Sequence, residues 1–169
     1  MGGSITSAED TVEISLTVDS RPQTVTVSPR TLLIRALRNQ MNVTAPHIGC
    51  ESGRCGACSV LVNGQTVKSC MMLAVQAEGT EIVTAQGMEE DTIGQRLQSA
   101  FKKFHALQCG FCTPGMLASA RELLRHNDHP TEDDVRQALR GNLCRCTGYQ
   151  HIIEAVLDAA SVGRKSHEN

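Results

Sequence analysis

An α+β chain is what this sequence predicts, with a small mixed sheet crossed by one helix in its first half and helices alone in its second. Three observations carry that expectation. Apolar and polar residues alternate in the early segments, the spacing turns helical after about residue 86, and eight cysteines fall into one quartet on each side of the change.

From Val12 to Val18 the apolar residues Val12, Ile14, Leu16 and Val18 alternate with Glu13, Ser15 and Thr17, the period of a strand with one buried face. Asp19 to Arg21 supply a turn, and Val25 and Val27 resume the alternation, so the segment predicts a hairpin. Ser28-Pro29 offers an N-cap with proline near the first helical position, and Leu32, Leu33, Ala36, Leu37 and Met41 follow at helical spacing. Asn63-Gly64 between two short apolar runs is a strong hairpin signal, and Glu81 to Ala85 add a last strand. Two hairpins, one crossing helix and a final strand describe a ferredoxin-like β-grasp.

Beyond the polar segment Gln86 to Asp91, Thr92 to about Leu107 predicts a helix with Ile93, Leu97, Ala100, Phe101 and Phe104 on one face. Thr113-Pro114 opens a second, with threonine as cap, carrying Met116, Leu117, Ala120, Leu123 and Leu124. The acidic run from Thr131 to Asp134 begins a third, which Gly141 is expected to close as a C′ residue. Thr147 and Gln150 have capping-box spacing before Ile152, Ile153, Val156, Leu157 and Ala160. The second half therefore reads as a four-helix bundle. The expected organisation is a tail over residues 1–10, a sheet domain over 11–86, a helical domain over 87–162 and a polar tail over 163–169.

With 169 residues the chain suits one ordinary domain or two small ones. Three Phe, one Tyr and no Trp leave the core to aliphatic side chains, and bound inorganic groups can supply part of the filling. Sixteen Lys and Arg against eighteen Asp and Glu give a net charge of -2 with no basic stripe, which leaves a nucleic-acid surface without electrostatic support. Residues 1 to 10 lack the positive and apolar regions of a secretory signal, and no run approaches the roughly 20 apolar residues of a membrane span. A cytoplasmic chain is expected. It shows no GxGxxG, P-loop or nucleophile-base pairing, so no catalytic residue is expected on it. Six histidines, together with Met71, Met72 and Met88, read as structural residues, and Glu89, Glu90 and Asp91 as a solvated linker.

The cysteines carry the chemistry. In a reducing compartment eight of them point to metal or redox centres rather than disulfides. Cys50, Cys55 and Cys58 read C-x4-C-x2-C, with Cys70 after eleven further residues, the plant-type spacing for a 2Fe-2S cluster. Gly49, Gly53 and Gly56 surround these ligands, and glycine lets a loop wrap tightly enough to aim successive amides at sulfur. Cys109, Cys112, Cys144 and Cys146 have a different spacing. They precede the two helices opened by Thr113 and Thr147, whose N-terminal dipoles favour an anionic cluster by about 1 kcal/mol each. Zinc remains open for this quartet, because four thiolates also make a common structural zinc site.

The strings CESGRCGAC with Cys70 in KSC, QCGFCTPGM at 108 to 116 and GNLCRCTGY at 141 to 149 together resemble the iron-sulfur subunit of the molybdenum hydroxylases. That family includes xanthine dehydrogenase, aldehyde oxidoreductases, aerobic carbon monoxide dehydrogenase and quinoline 2-oxidoreductase. The resemblance covers roughly residues 12 to 160. It implies two 2Fe-2S clusters in this chain, a molybdopterin in a large partner subunit and FAD in a medium one, in a complex expected to be a dimer of heterotrimers. It further implies that Cys109, Cys112, Cys144 and Cys146 hold the cluster nearer molybdenum, and Cys50, Cys55, Cys58 and Cys70 the one nearer FAD. Gln108 and Cys146 would stand against the pterin. The chain would relay electrons one at a time from molybdenum to flavin. A free two-cluster ferredoxin and a zinc-stabilised adaptor are the alternatives.

Overall fold

The computed structural model describes residues 10–167, so most of the expected N-terminal tail and the last two residues lie outside the described residues. Strands β1 (Val12–Val18) and β2 (Arg21–Val27) form the first hairpin, with Val12 opposite Val27 and Val18 opposite Arg21. The alternation in β1 is real. Ile14, Leu16 and Val18 are buried while Glu13 is exposed. Pro22 is tolerated because β2 is the outermost strand, where a missing ladder donor costs little.

The expected helix near Pro29 starts later and is short. A turn in which Thr31 N donates to Ser28 O is followed by α1 (Leu33–Arg35), which continues as one wider π turn over Ala36–Gln40. Ser28 does not cap it. Leu33 N donates to Met72 O and Ala74 N to Thr31 O, so pairing with the segment around Met72 sets where the helix begins. Leu33, Ala36, Leu37 and Met41 are nevertheless buried as their spacing predicts.

Strands β3 (Ser59–Val62) and β4 (Gln65–Lys68) flank Asn63-Gly64, whose φ values of 49 and 83 are those of the expected tight turn. The last strand, β5 (Glu81–Val83), runs parallel to β1 and antiparallel to β3. Sheet order is therefore β2-β1-β5-β3-β4, a mixed sheet. Val60 and Val62 belong to the sheet core with Ile14, Leu16, Leu33 and Leu37, whereas Leu61 belongs to the helical core. Every residue of β3 is buried, so this strand serves both halves of the molecule.

Helices α2 (Thr92–Lys103), α3 (Thr113–His126), α4 (Glu132–Ala138) and α5 (Gln150–His167) follow, giving with α1 five α-helices among the described residues. α2 packs on α3 and α5, and α4 touches both α3 and α5, around Leu97, Phe101, Met116, Val135, Ile152 and Val156. α2 ends at Lys103 rather than near Leu107, because His105 turns left-handed at φ 49 and Ala106 N reaches back to Phe101 O. Asp91 is no solvated linker. Its carboxylate caps α2 by accepting from Gly94 N at 2.9 Å and pairs with Arg121 of α3 at 2.8 Å. Thr131 and Asp134 form a true capping box at α4, yet Gly141 does not adopt the left-handed C′ conformation. A 3-10 turn over Leu139–Gly141 ends that segment instead. The backbone of α5 remains helical to His167, past the expected end of the domain. Among the described residues no helix is long and apolar enough to cross a membrane.

Candidate metal centres

The first quartet is assembled by one loop and one hairpin. Cys58 immediately precedes β3 and Cys70 follows β4, so the register that places Ser59 opposite Lys68 brings the two thiols together at the base of the hairpin. Both are buried, and Ser69 Oγ donates to Cys58 O at 2.7 Å to hold that base closed. Burial, with the neighbouring Cys70 and Cys55 adding to it, pushes the Cys58 thiol up to about 11. Cys50 is the opposite case. It is exposed, and hydrogen bonds from Ser52 and then Cys55 bring its thiol down to about 6. Ser52 N and Cys55 N stand 3.4 Å and 3.3 Å from Cys50 Sγ.

The backbone that achieves this turns left-handed at Glu51, Gly53 and Gly56, with φ 48, 72 and 74. At Gly49 the constraint is space, since a Cβ there would sit 2.9 Å from Cys55 Sγ. Two side chains brace the loop from outside: Arg35 of α1 donates twice to Glu51, each at 3.0 Å, and Lys68 Nζ donates to Gly53 O at 2.5 Å.

The second quartet comes from two separate segments. Cys112 is the residue immediately before α3, and Cys109 stands one tight turn earlier, with Thr113 N donating to Gly110 O at 3.1 Å. Cys144 and Cys146 lie on the segment between the 3-10 turn and α5. Helix packing brings the pairs together. Cys146 Sγ lies 3.4 Å from Cys109 Sγ, both exposed, while Cys112 is buried and interacts with Cys144. Burial, reinforced by Cys144, drives the Cys112 thiol up to about 12. Burial also works to raise Cys144, but hydrogen bonds from Thr147 outweigh it and leave that thiol lowered. An amide hydrogen bond at Phe111 lowers Cys109, and the contact with Cys109 raises Cys146.

Two expected caps are absent here. Thr113 is the first helical residue rather than a cap, and its hydroxyl oxygen is buried without a hydrogen-bond partner. Thr147 makes no capping box with Gln150. Its hydroxyl donates to Cys144 Sγ at 3.1 Å and accepts from Tyr149 N at 3.2 Å, so it serves the cysteine before it. α5 starts only at Gln150, so the dipole is adjacent at α3 but more distant from Cys144 and Cys146.

The two quartets are joined directly. Leu143 N, next to Cys144, donates to Cys55 O at 2.8 Å. Phe111, between Cys109 and Cys112, stacks on His47 with ring centroids 4.7 Å apart, and its carbonyl is 2.9 Å from His47 Nδ1. Among the described residues no three His, Cys, Asp or Glu side chains close around one point as the ligands of a single ion would. Each quartet is a set of four thiols with amide and hydroxyl donors turned toward sulfur, which is the donor chemistry of an anionic 2Fe-2S core spread over two irons.

Comparison with known proteins agrees with that fit. A 2Fe-2S iron-sulfur cluster binding domain matches residues 16–97, and a second family, a [2Fe-2S] binding domain, matches residues 84–157. The nicotine 6-hydroxylase small subunit of Paenarthrobacter nicotinovorans is 50% identical over 161 residues, 95% of this chain and 97% of that one. The xanthine dehydrogenase iron-sulfur-binding subunit of Escherichia coli O157:H7 is 42% identical over 88% of this chain and 94% of its own length. Among solved structures, quinoline 2-oxidoreductase from Pseudomonas putida 86 superimposes with a TM-score of 0.86 at 46% identity, covering 92% of this chain and 97% of that chain. This chain belongs to the 2Fe-2S small subunits of the molybdenum hydroxylases.

As a 2Fe-2S small subunit it carries two 2Fe-2S binding domains, and the eight cysteines divide between them. Gln108 is exposed and donates to the Cys146 carbonyl at 3.0 Å, so the two residues expected at the pterin are held together on one face. Ser52, Thr147 and Tyr149 are site residues that the sequence reading missed. Tyr149 OH accepts from Cys144 N at 2.9 Å. Thr147 carries a signal, a hydroxyl directly after the C-x-C pair, but its spacing to Gln150 points to a helix cap instead.

Proposed function

We propose that this subunit relays electrons one at a time from a molybdopterin site in a large subunit to FAD in a medium subunit. Cys109, Cys112, Cys144 and Cys146 would hold the cluster nearer molybdenum, and Cys50, Cys55, Cys58 and Cys70 the cluster nearer FAD. Each 2Fe-2S cluster, when bound, accepts and releases a single electron. Residues 11–86 and 87–162 are the two cluster domains in this reading, the second a four-helix bundle of α2 to α5. The observation that carries the proposal is the direct joint between the quartets, where the Cys55 carbonyl accepts the Leu143 amide beside Cys144. A ligand of one centre is thereby one hydrogen bond and a few covalent bonds from a ligand of the other.

The outer ends of the relay are the exposed thiols. Cys109 and Cys146, with Gln108 bonded to the latter, face outward at one quartet, and Cys50 does so at the other. Gln108 and Cys146 are assigned to the pterin side on the family resemblance. A subunit held in a complex, rather than a free ferredoxin, is favoured by the apolar side chains left exposed nearby: Met71 at 63%, Leu143 at 59%, Phe111 at 46% and Leu107 at 40%. We assign the chain to a cytoplasmic dimer of heterotrimers. The partner's substrate is proposed to be an N-heteroaromatic ring, because relatives are named for nicotine, caffeine and quinoline.

The test is paired substitution in the native complex. Cys146→Ser is expected to perturb the cluster nearer molybdenum and slow electron exit from it, and Cys55→Ser to perturb the other. Identical spectral losses from both variants would refute the assignment. A colourless chain containing zinc and no acid-labile sulfide would sink the electron-transfer reading, and a native lone monomer would return the free ferredoxin.

A further inference from the structure

Three residues outside both ligand sets occupy the joint between them. Gly56 lies between Cys55 and Cys58, Gly115 is in the first turn of α3 after Cys112, and Asn142 precedes Leu143 and Cys144. All three are buried, Asn142 to 3% exposure. A Cβ at Gly56 would overlap the Asn142 side-chain oxygen and the Gly141 carbonyl. One at Gly115 would overlap the Gly56 carbonyl and lie 2.9 Å from Asn142 Oδ1. In each glycine a hydrogen occupies that direction, so both Cα–H groups face oxygen across the joint.

Asn142 is fixed on every side. Its amide nitrogen donates to Ser119 Oγ of α3 at 2.7 Å. Its Oδ1 is buried with no N–H or O–H partner, an arrangement that native interiors rarely leave uncompensated, and the two glycine Cα–H groups are what it meets. Its own carbonyl is 3.4 Å from Tyr149 OH, the hydroxyl that also receives Cys144 N. Its neighbour Leu143 supplies the amide bound to Cys55 O. One side chain thus touches the loop of the first quartet and the helix of the second, and its backbone leads into Cys144.

We propose that Asn142 is a positioning residue that, seated between Gly56 and Gly115, sets the separation and orientation of the two 2Fe-2S clusters and hence the ease of electron passage between them. The proposal rests on the two-cluster reading above. Asn142 touches neither substrate nor any thiol, so its effect is on geometry and not on ligation.

Two reduced 2Fe-2S clusters close together split each other's electron paramagnetic resonance lines, and the splitting falls steeply with their separation. In the dithionite-reduced complex, Gly115→Ala drives a methyl group against the Gly56 carbonyl and is expected to reduce or abolish the splitting, with iron content and each cluster's own g values retained. Asn142→Ala is expected to change the splitting too, and Ser119→Ala, which frees the amide without adding volume, to change it less. If Gly115→Ala fails to accumulate, the other two variants decide. Lowered melting temperatures with wild-type splitting in Asn142→Ala and Ser119→Ala would overturn the inference and leave the two-cluster reading standing. An unaltered complex without 2Fe-2S signals would overturn both.

Discussion

The two quartets solve the same problem with different amounts of the fold. In the first, three cysteines lie within residues 50–58 and the β3-β4 register supplies the fourth. In the second, two pairs separated by thirty-one residues meet only when α2 to α5 are packed. A local loop gathers sulfur mainly by backbone conformation, here with left-handed residues at Glu51, Gly53 and Gly56, and the Ser52 side chain adds a hydrogen bond to Cys50. A non-local site depends on a correctly packed core and draws its sulfur donors from side chains as well, as Thr147 shows. The first centre is therefore the more sensitive to backbone substitutions in its loop, and the second to the packing of its helices.

The largest expected effect separates two left-handed glycines. Gly56 and Gly110 have φ 74 and 80, so alanine strains both by about 1–2 kcal/mol. At Gly110 the added methyl meets nothing within 4 Å, whereas at Gly56 it collides with Asn142 and Gly141. Gly56→Ala should thus lose a further ~1–3 kcal/mol from overpacking and disturb the signals of both clusters. Gly110→Ala should disturb only the second. Thermal unfolding with iron analysis measures this, and equal losses would mean that the first loop is not clamped by the helical half.

Next in size is Tyr149→Phe. Removing the hydroxyl leaves the Cys144 amide without its partner, at a cost of about 1–2 kcal/mol, and alters the donors around the second quartet alone. The expected outcome is a shifted spectrum for the second cluster and an unchanged first. A change in the first would show that the two centres are coupled more tightly than the joint at Cys55 and Leu143 implies.

How far each centre was legible in the sequence follows from the same contrast. C-x4-C-x2-C, Asn63-Gly64 and the alternation from Val12 to Val18 are short-range signals, and β1, β3 and β4 appear where the last two predict. The second quartet was visible as cysteines but not as geometry. Thr113 and Thr147 each precede an apolar helical run, yet neither caps a helix, because one is already helical and the other is committed to sulfur. α1 begins at Leu33 through pairing with Met72 and not through Ser28, a tertiary contact that no local pattern announces. Asp91 looked like linker because its partner Arg121 is thirty residues away.

A smaller effect is expected from Arg35→Met. The Arg35–Glu51 pair braces the first loop, but with side chains 50% and 31% exposed it contributes only about 0–1 kcal/mol. The variant should loosen the loop around Cys50, visible as faster amide exchange at Ser52 and Cys55, and leave residues 108–112 unchanged. Protection lost equally at both quartets would contradict the local character assigned to the first.

The smallest effect tests whether the helical half can be weakened without touching its cluster. α4 is capped by Thr131 and carries no cysteine, so it contributes to the second quartet only through packing. The Thr131 backbone amide, followed by its hydroxyl, holds the Asp134 carboxyl below the usual carboxylate range. A folded-state value below the unfolded one stabilises the fold at pH above the ordinary carboxylate value, near ~4, and that stabilisation disappears as pH falls through the lowered value. Asp134→Asn should therefore lower the melting temperature slightly at neutral pH, and the difference from the unaltered chain should close in acid. Because the Asp134 carboxylate bonds to Thr131 and not to a cysteine, the second cluster's spectrum should stay constant throughout. If that spectrum instead follows the Asp134 titration, the second quartet is held by the ends of its helices as much as by their packed faces, and the contrast with the first loop narrows.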